Sequence, residues 1–167
     1  MKFNQPIKID LLDFFKTGRF DCLKLGQTKE WILSNFPFPD GAESHIDEVL
    51  KNDIWHYGNI ELHFNKGTLF LVFSDYIHEL DGGDSIQLSK WLINDPDQLN
   101  LNSVMTQLNA ERIDFEKKTE KYGDQYYVRL KLIPSGIQLS FISEDLEGNS
   151  IENPGDYCFG SFSLVHK

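Results

Sequence analysis

The residues of this chain that are best equipped for chemistry are five histidines, two cysteines and a run of acidic side chains. The histidines are His45, His56, His63, His78 and His166. None of them stands in a His-Glu-x-x-His frame, and the sequence contains no Cys/His set at zinc-site spacing. It also contains no phosphate-binding glycine loop, no dinucleotide-binding glycine motif and no nucleophile elbow. The sequence therefore predicts a protein that is not an enzyme and that carries no cofactor or metal.

The densest group of charged side chains lies in the segment 75–84, which also contains His78 and the pair Gly82-Gly83. Several carboxylates within ten residues could hold a divalent ion, but their spacing is not that of an EF-hand loop. We expect a solvated acidic loop that docks onto a basic surface. The alternative is a metal-binding protein or a small enzyme that uses this loop together with His78.

Exposed aromatic side chains are the second sign of a binding surface, because Trp and Tyr dominate the energetics of protein interfaces. Tyr127 alternates with Arg129 and Lys131 along a predicted strand, so these three side chains should share one face of a sheet. The residues that we predict to contact a partner are Asp75, Tyr76, Glu79, Asp81, Asp84 and Tyr127.

His56 and His63 flank the first strand of a predicted hairpin. They are separated by an odd number of residues, so in one regular strand their side chains would point to opposite faces. The sequence therefore predicts that these two histidines do not form one site.

Composition and charge limit the classes of partner. The chain has 167 residues, of which 40% are hydrophobic, and this is typical of a single domain with a substantial core. A formal net charge of −10 disfavours nucleic acid and favours a basic protein partner. The cysteines, Cys22 and Cys158, are expected to be reduced thiols. The N-terminal segment resembles no secretion signal and no stretch is long enough to span a membrane, so we expect a cytoplasmic protein that does not bind membranes.

Hydrophobic periodicity predicts helices that alternate with groups of strands. Helices are expected over 9–16, from the N-cap Thr28 to Phe36, over 86–94 after the N-cap Ser85, and from Asn100 or Asn102 to Leu108. Strands are expected in a hairpin over 53–73 that turns at Asn65-Lys66-Gly67, and then over 112–118, 125–133, 137–141 and 157–165. The run 68–73 is apolar on both faces, which favours a central strand covered on both sides. This order predicts an α+β fold in which a twisted antiparallel sheet carries helices on one face.

One part of the chain resembles a known family. The segments Leu25-Gly26-Gln27-Thr28-Lys29-Glu30-Trp31, Ile54-Trp55-His56-Tyr57-Gly58 and Leu62-His63-Phe64-Asn65-Lys66-Gly67-Thr68-Leu69 follow one another within residues 25–73. They resemble the unit of the BamE/SmpA outer-membrane lipoproteins and of the β-lactamase inhibitor protein, in which a Gly-x-Thr helix start leads to an aromatic strand and a hairpin. The run from Trp55 to Phe64 is also similar to segments of uncharacterised bacterial proteins found near polymorphic toxins.

The resemblance implies a curved sheet that binds another protein, and it does not imply a particular target. Residues 85–167 echo this unit, with Tyr122-Gly123 in the place of Tyr57-Gly58, which suggests two diverged repeats over 9–84 and 85–167 within one domain of residues 1–167. We expect this protein to have neither the secretion signal of the inhibitor nor the lipid-anchor cysteine of the lipoproteins.

These observations together predict an acidic protein-binding domain without catalytic activity. One form of this expectation is an immunity or inhibitor protein, whose carboxylates occupy the place where a basic toxin domain expects phosphates.

Overall fold

The computed structural model describes residues 5–41 and 46–165, and these form an α+β fold. The helices are α1 (Leu11–Thr17), α2 (Lys29–Asn35), α3 (Ile46–Lys51) and α4 (Leu101–Ala110). The strands are β1 (Ile7–Asp10), β2 (Ile54–Tyr57), β3 (Ile60–Asn65), β4 (Thr68–Ser74), β5 (Ile86–Ser89), β6 (Phe115–Tyr122), β7 (Gln125–Leu132), β8 (Gln138–Ile142) and β9 (Cys158–Val165). Short 3-10 turns lie at Ile77–Glu79, Trp91–Asn94, Pro96–Gln98 and Pro154–Asp156.

Seven strands form one continuous sheet in the order β2-β3-β4-β9-β8-β7-β6, and every neighbouring pair is antiparallel. The sheet thus consists of two meanders, β2 to β4 and β6 to β9, which meet where β4 pairs with β9. Strands β1 and β5 form a separate parallel pair. The expected antiparallel sheet with a few helices is therefore confirmed.

One face of the seven-stranded sheet packs into the hydrophobic core. Along β7 the buried residues are Val128, Leu130 and Leu132, which alternate with half-buried or exposed ones. Helix α1 lies against this face, since the rings of Phe14 and Phe15 lie 5.8 Å and 5.7 Å from the ring of Phe162 on β9. Edge-to-face aromatic contacts of this kind stabilise a core beyond the area that they bury.

The opposite face, which we call the open face, is not sealed from solvent. Its side chains are half-buried or exposed, and they include His56, His63, Leu71, Phe73, Tyr127, Arg129, Ser140, Ile142, Cys158, Ser161 and Ser163. Antiparallel sheets commonly keep one face in contact with water in this way. The prediction that the run 68–73 is covered on both sides was therefore wrong, because Leu71 and Phe73 belong to this open face.

Two local predictions were confirmed. The hydroxyl of Thr28 accepts a hydrogen bond from the backbone N–H of Trp31 at 3.2 Å, so Thr28 is the N-cap of α2. The β3–β4 hairpin turns at Lys66-Gly67, where both residues have positive φ, at 50° and 76°. This is the backbone of a type I′ turn, which matches the twist of the flanking strands.

Other predicted boundaries were wrong. The helix predicted over 86–94 is strand β5 followed by a 3-10 turn, because Ile86 and Leu88 alternate with exposed residues and pair with β1. Trp91 has a φ of 50°, which is incompatible with a continuous helix at this point. The strand predicted over 112–118 begins only at Phe115, since Arg112 also has a positive φ of 57°.

The first helix and the first hairpin also differ from the prediction. Residues 9 and 10 belong to β1, and Asp10 caps α1 by accepting a hydrogen bond from the backbone N–H of Leu12 at 2.9 Å. The predicted hairpin over 53–73 is a three-stranded meander, because the chain turns at Gly58-Asn59 as well as at Lys66-Gly67.

Candidate binding site on the open face

A hollow of about 450 Å³ lies on the open face, over strands β7, β8 and β9. Its main lining residues are Phe73, Asp75, His78, Tyr127, Arg129, Ser140, Ile142, Asp145, Leu146, Cys158, Gly160 and Ser161. Successive side chains of these strands point to opposite faces of the sheet. The residues next to Tyr127, Ser140 and Ile142 point into the core, so these three side chains lie on the open face and form the floor of the hollow. The hollow is within the size range of protein ligand pockets.

A second hollow of about 390 Å³ adjoins the first. The two share His78, Asp145, Leu146 and Cys158, and the second is also lined by Leu99, Glu147, Ile151 and Asp156. We call the two hollows together the trough. Leu146 stands on its rim with 73% of its surface exposed.

His78 and Cys158 meet at the point where the two hollows join. The Nε2 atom of His78 lies 3.1 Å from the Sγ atom of Cys158. Burial lowers the pKa of His78, and burial followed by the charge of Asp145 raises the pKa of the Cys158 thiol. Both shifts favour a neutral imidazole beside a protonated thiol. A nucleophilic cysteine needs the opposite shift, since the thiolate is the reactive form.

Four carboxylates border the trough, on Asp75, Asp145, Glu147 and Asp156. Asp145 also shapes the loop after β8, since it accepts hydrogen bonds from the backbone N–H groups of Glu147 and Asn149 at 2.9 Å and 2.8 Å. The side-chain hydrogen bond from Asn149, followed by those from the backbone, lowers the pKa of Asp145. Asp145 therefore stays ionised and holds Leu146 at the rim.

Arg129 is the cationic residue in the lining of the trough, and its charge is partly compensated. Its Nη1 atom lies 3.1 Å from the Oε2 atom of Glu120 on β6, while Lys118 Nζ lies 2.6 Å from Oε1 of the same carboxylate. The hydrogen bond from Lys118, and then the charges of Arg129 and Lys118, lower the pKa of Glu120. Glu120 is therefore ionised, and it forms an ion pair with Arg129 beside the trough.

Two of the six predicted contact residues line the trough, and the other four do not. Asp75 and Tyr127 line the trough, and Tyr127 shares its face with Arg129 as predicted. Tyr76 follows Asp75 directly and is 58% exposed. The structure does not bring the other three, Glu79, Asp81 and Asp84, into either hollow, although all three are exposed. All six remain predictions as partner contacts.

The acidic segment 75–84 is better anchored than a freely solvated loop. Ile77 and Leu80 are buried, and the side chain of Asn59 binds the segment at two points. Its amide donates to the carbonyl of Glu79 at 2.7 Å, and its carbonyl accepts from the N–H of Asp81 at 2.8 Å. The segment thus holds Asp75 and His78 in fixed positions at the trough.

The expectation that His56 and His63 face opposite sides was wrong. They lie on neighbouring strands, β2 and β3, because the chain turns between them, and both approach Glu61 on the open face. The Nε2 atom of His63 is 2.6 Å from one oxygen of Glu61, and the Nδ1 atom of His56 is 3.9 Å from the other. The signal that could have found this arrangement is Gly58-Asn59, a turn within what was interpreted as one strand.

Sequence reasoning also missed the contributions of Cys158, Asp145 and Leu146 to the site. Cys158 pairs with Ile142 across β8 and β9, so the two side chains share the open face. This follows from the register of two consecutive strands that are joined by the segment 143–157, and composition does not encode that register. The Asp-x-x-Gly-Asn run at 145–149 is a turn signal that would have placed Leu146 at a loop tip.

Three further features concern the part of the chain that the structure describes. Within 5–41 and 46–165, no group of three or more His, Cys, Asp or Glu side chains is arranged to hold a metal ion. The two cysteines, both in this part of the chain, are free thiols. No helix in the described ranges combines the length and apolar character needed to cross a membrane. His45 and His166 lie outside the described residues.

Comparison with known proteins adds one relative. The chain is 27% identical over 133 residues to the uncharacterized protein MG360 of Mycoplasma genitalium. The match covers 75% of this chain and 32% of MG360, so the chain spans about a third of the length of the curated relative that it matches. No protein-family model matches the chain, and no solved structure matches it.

Proposed function

We propose that this chain is an acidic protein-binding domain without catalytic activity, and that it binds a basic protein partner on the open face of its sheet. The observation that carries this proposal is the trough, which combines apolar side chains with an acidic rim on the side of the sheet that the core does not use. Interfaces need a desolvated apolar centre with a polar rim, and the trough offers both.

The electrostatics of the molecule support a basic partner. The chain has a formal net charge of −10, and a field of this sign accelerates encounters with cationic surfaces. The trough has the same character locally, since the described residues that line it include four carboxylates and the single guanidinium of Arg129. Global attraction and local complementarity therefore act in the same direction.

The His78–Cys158 pair supports binding rather than reaction. It is the pair of side chains in the trough that most resembles a nucleophile and its base. Because the pKa of Cys158 is raised, its thiol is protonated at neutral pH, and the imidazole gains no thiolate partner. We propose that these two side chains pack against each other where the two hollows join and take no part in a reaction.

Site-specific photo-crosslinking in cells tests the proposal. A benzophenone amino acid replaces Leu146 at the rim of the trough in one variant and Trp31 on α2 in a matched control. These residues are 73% and 38% exposed. We expect a discrete crosslinked protein with a basic isoelectric point from position 146 and not from position 31. The same product from both positions, an acidic product, or a product only from position 31 would contradict the proposal.

Neutralisation of a toxin is the specific form of this function that the sequence suggests, and we propose it for a cytoplasmic protein. The two free thiols support that compartment, because reduced cysteines are typical of it. Co-expression tests this form. If the crosslinked partner arrests growth when expressed alone, the wild-type chain should restore growth, and a chain with Leu146→Arg should not. A partner that is harmless to the cell would exclude the immunity role and leave the binding role intact.

A further inference from the structure

We propose that the trough receives the side chain of an arginine from the partner. This inference rests on the proposed function and names the chemical group that the open face recognises. It is carried by the shape of the trough, by the kind of side chains that line it and by the balance of charge around it.

The apolar part of the lining favours a planar, weakly hydrated cation. Phe73 from β4 and Tyr127 from β7 contribute aromatic rings to the first hollow, and Ile142 and Leu146 contribute aliphatic surface. A guanidinium group stacks on aromatic faces and loses less hydration on burial than an ammonium group does. An arginine side chain therefore fits this lining better than a lysine side chain.

The carboxylates supply partners for the donors of a guanidinium. Asp75 is exposed at the mouth of the first hollow and accepts no hydrogen bond from the described residues, so its oxygens are available. Glu147 and Asp156 border the second hollow, and no lysine or arginine stands among the described residues that line it. A carboxylate can accept two parallel N–H bonds from one guanidinium, which gives both affinity and orientation.

Arg129 determines whether the trough prefers a cation or an anion. A free guanidinium here would attract carboxylates and phosphates, but Arg129 lies 3.1 Å from the Oε2 atom of Glu120. Because Glu120 also pairs with Lys118, it compensates the charge of Arg129 only in part. The four carboxylates of the rim still outnumber this one guanidinium among the described residues that line the trough. The trough has the electrostatic sign of a cation site.

A titration with amino-acid amides on the whole chain tests the proposal. The probe is N-acetyl-arginine amide, and the readout is the change in backbone amide chemical shifts by NMR. We expect saturable shifts in the millimolar range, concentrated at residues 73–79 and 140–149. N-acetyl-citrulline amide, which has nearly the same shape without the charge, should produce no saturable shifts, and N-acetyl-lysine amide should bind more weakly than the arginine probe.

Charge-neutralising variants locate the binding. Asp75→Asn should weaken binding of the arginine probe by about two- to fivefold, because it removes one carboxylate from a partly exposed site. The matched control is Asp47→Asn on α3, which also removes one exposed carboxylate and should leave the affinity unchanged. Arg129→Gln should strengthen binding, since it removes a like charge from the lining.

Four results would overturn the inference: no saturable shift with the arginine probe, equal binding of citrulline, shifts scattered over the whole acidic surface, or a loss of binding in Arg129→Gln. Saturable binding of N-acetyl-aspartate amide that is lost in Arg129→Gln would instead identify an anion site. After any of these results, the crosslinking experiment at Leu146 would still decide independently whether the open face binds a protein.

Discussion

At the scale of single residues, buried polar side chains hold the elements that surround the sheet. The side chain of Lys29 on α2 is 5% exposed, and its Nζ atom donates hydrogen bonds to the carbonyl of Leu50 and the carboxylate of Asp53, at 2.9 Å and 2.8 Å. A buried ammonium group is tolerated only when it is paired in this way. Lys29 thus links α2 to the segment that leads into β2, which carries His56 onto the open face.

Tyr57 provides a second anchor of this kind. Its hydroxyl, buried in the core, donates a hydrogen bond of 2.8 Å to the carbonyl of Pro37, and burial raises the pKa of the hydroxyl. Replacement by Phe (Tyr57→Phe) leaves that buried carbonyl without its donor, so we expect the free energy of unfolding to fall by about 1–2 kcal/mol. Urea denaturation measures this change. In the control variant Tyr122→Phe, at a tyrosine that is 59% exposed, the free energy of unfolding should fall by less than about 0.5 kcal/mol.

His78 gives the stability of the fold a pH dependence. Burial lowers its pKa, so the folded protein binds a proton less readily than the unfolded chain does. Stability should therefore decrease as the pH falls through about 6.5, the ordinary value for histidine, and continue to decrease down to the lowered pKa. We expect His78→Gln to remove this part of the dependence.

The measurement compares the free energy of unfolding at about pH 7.5 and about pH 5.5 in both proteins. The wild type should lose more stability over this interval than His78→Gln does, by less than about 1 kcal/mol. Equal losses would show that His78 is protonated equally well in the folded and unfolded states. The titration of other groups cancels in this comparison, since both proteins share them.

At the scale of elements, the Lys66-Gly67 turn sets the register of β3 and β4 on the open face. Lys66 adopts a φ of 50°, which asparagine tolerates better than lysine does. We expect Lys66→Asn to stabilise the protein by about 0.5 kcal/mol, because Asn-Gly is the preferred sequence of this turn type. Gly67→Ala should destabilise it by about 1 kcal/mol, since alanine at a φ of 76° is strained. Thermal unfolding of the two variants should show shifts of opposite sign, and shifts of the same sign would contradict the assignment of the turn.

The sequence predicts these elements best where local chemistry decides the structure. The cap at Thr28, the turn at Lys66-Gly67 and the alternation along β7 are all determined by residues close together in the chain, and all three were predicted. Strand β5 was mistaken for a helix because its structure depends on pairing with β1, about 80 residues earlier. Tertiary pairing outweighs local preference in such a short apolar run.

The same distinction applies to the candidate site. Asp75 was predicted as a contact residue because it lies in the acidic loop, and Tyr127 because of its type and its position on a strand. Both line the trough, and their contacts with a partner remain predictions. The meeting of His78 with Cys158 joins residues 80 positions apart in the sequence, so it depends on the topology of the whole sheet. A single sequence without strand register does not contain that information.

At the scale of the whole molecule, the negative charge should govern how quickly the partner binds. Electrostatic steering raises association rates and is screened by salt, while dissociation depends mainly on short-range contacts. For the partner captured from position 146, we expect the association rate constant to fall at least about tenfold between about 50 mM and about 500 mM NaCl. The dissociation rate constant should change less than the association rate constant does. Surface plasmon resonance measures both, and an association rate that is independent of salt would contradict a basic partner.

We propose that the partner binds the open face and not the helical side of the sheet. Hydroxyl-radical footprinting of the chain alone and in complex with its crosslinked partner tests this claim most directly, because it reports the solvent exposure of individual side chains. We predict that oxidation of Tyr76, Tyr127 and Leu146 falls in the complex while that of Trp31 on α2 does not change. Protection of Trp31 with unchanged oxidation of Leu146 would place the interface on the helical side and contradict binding at the open face.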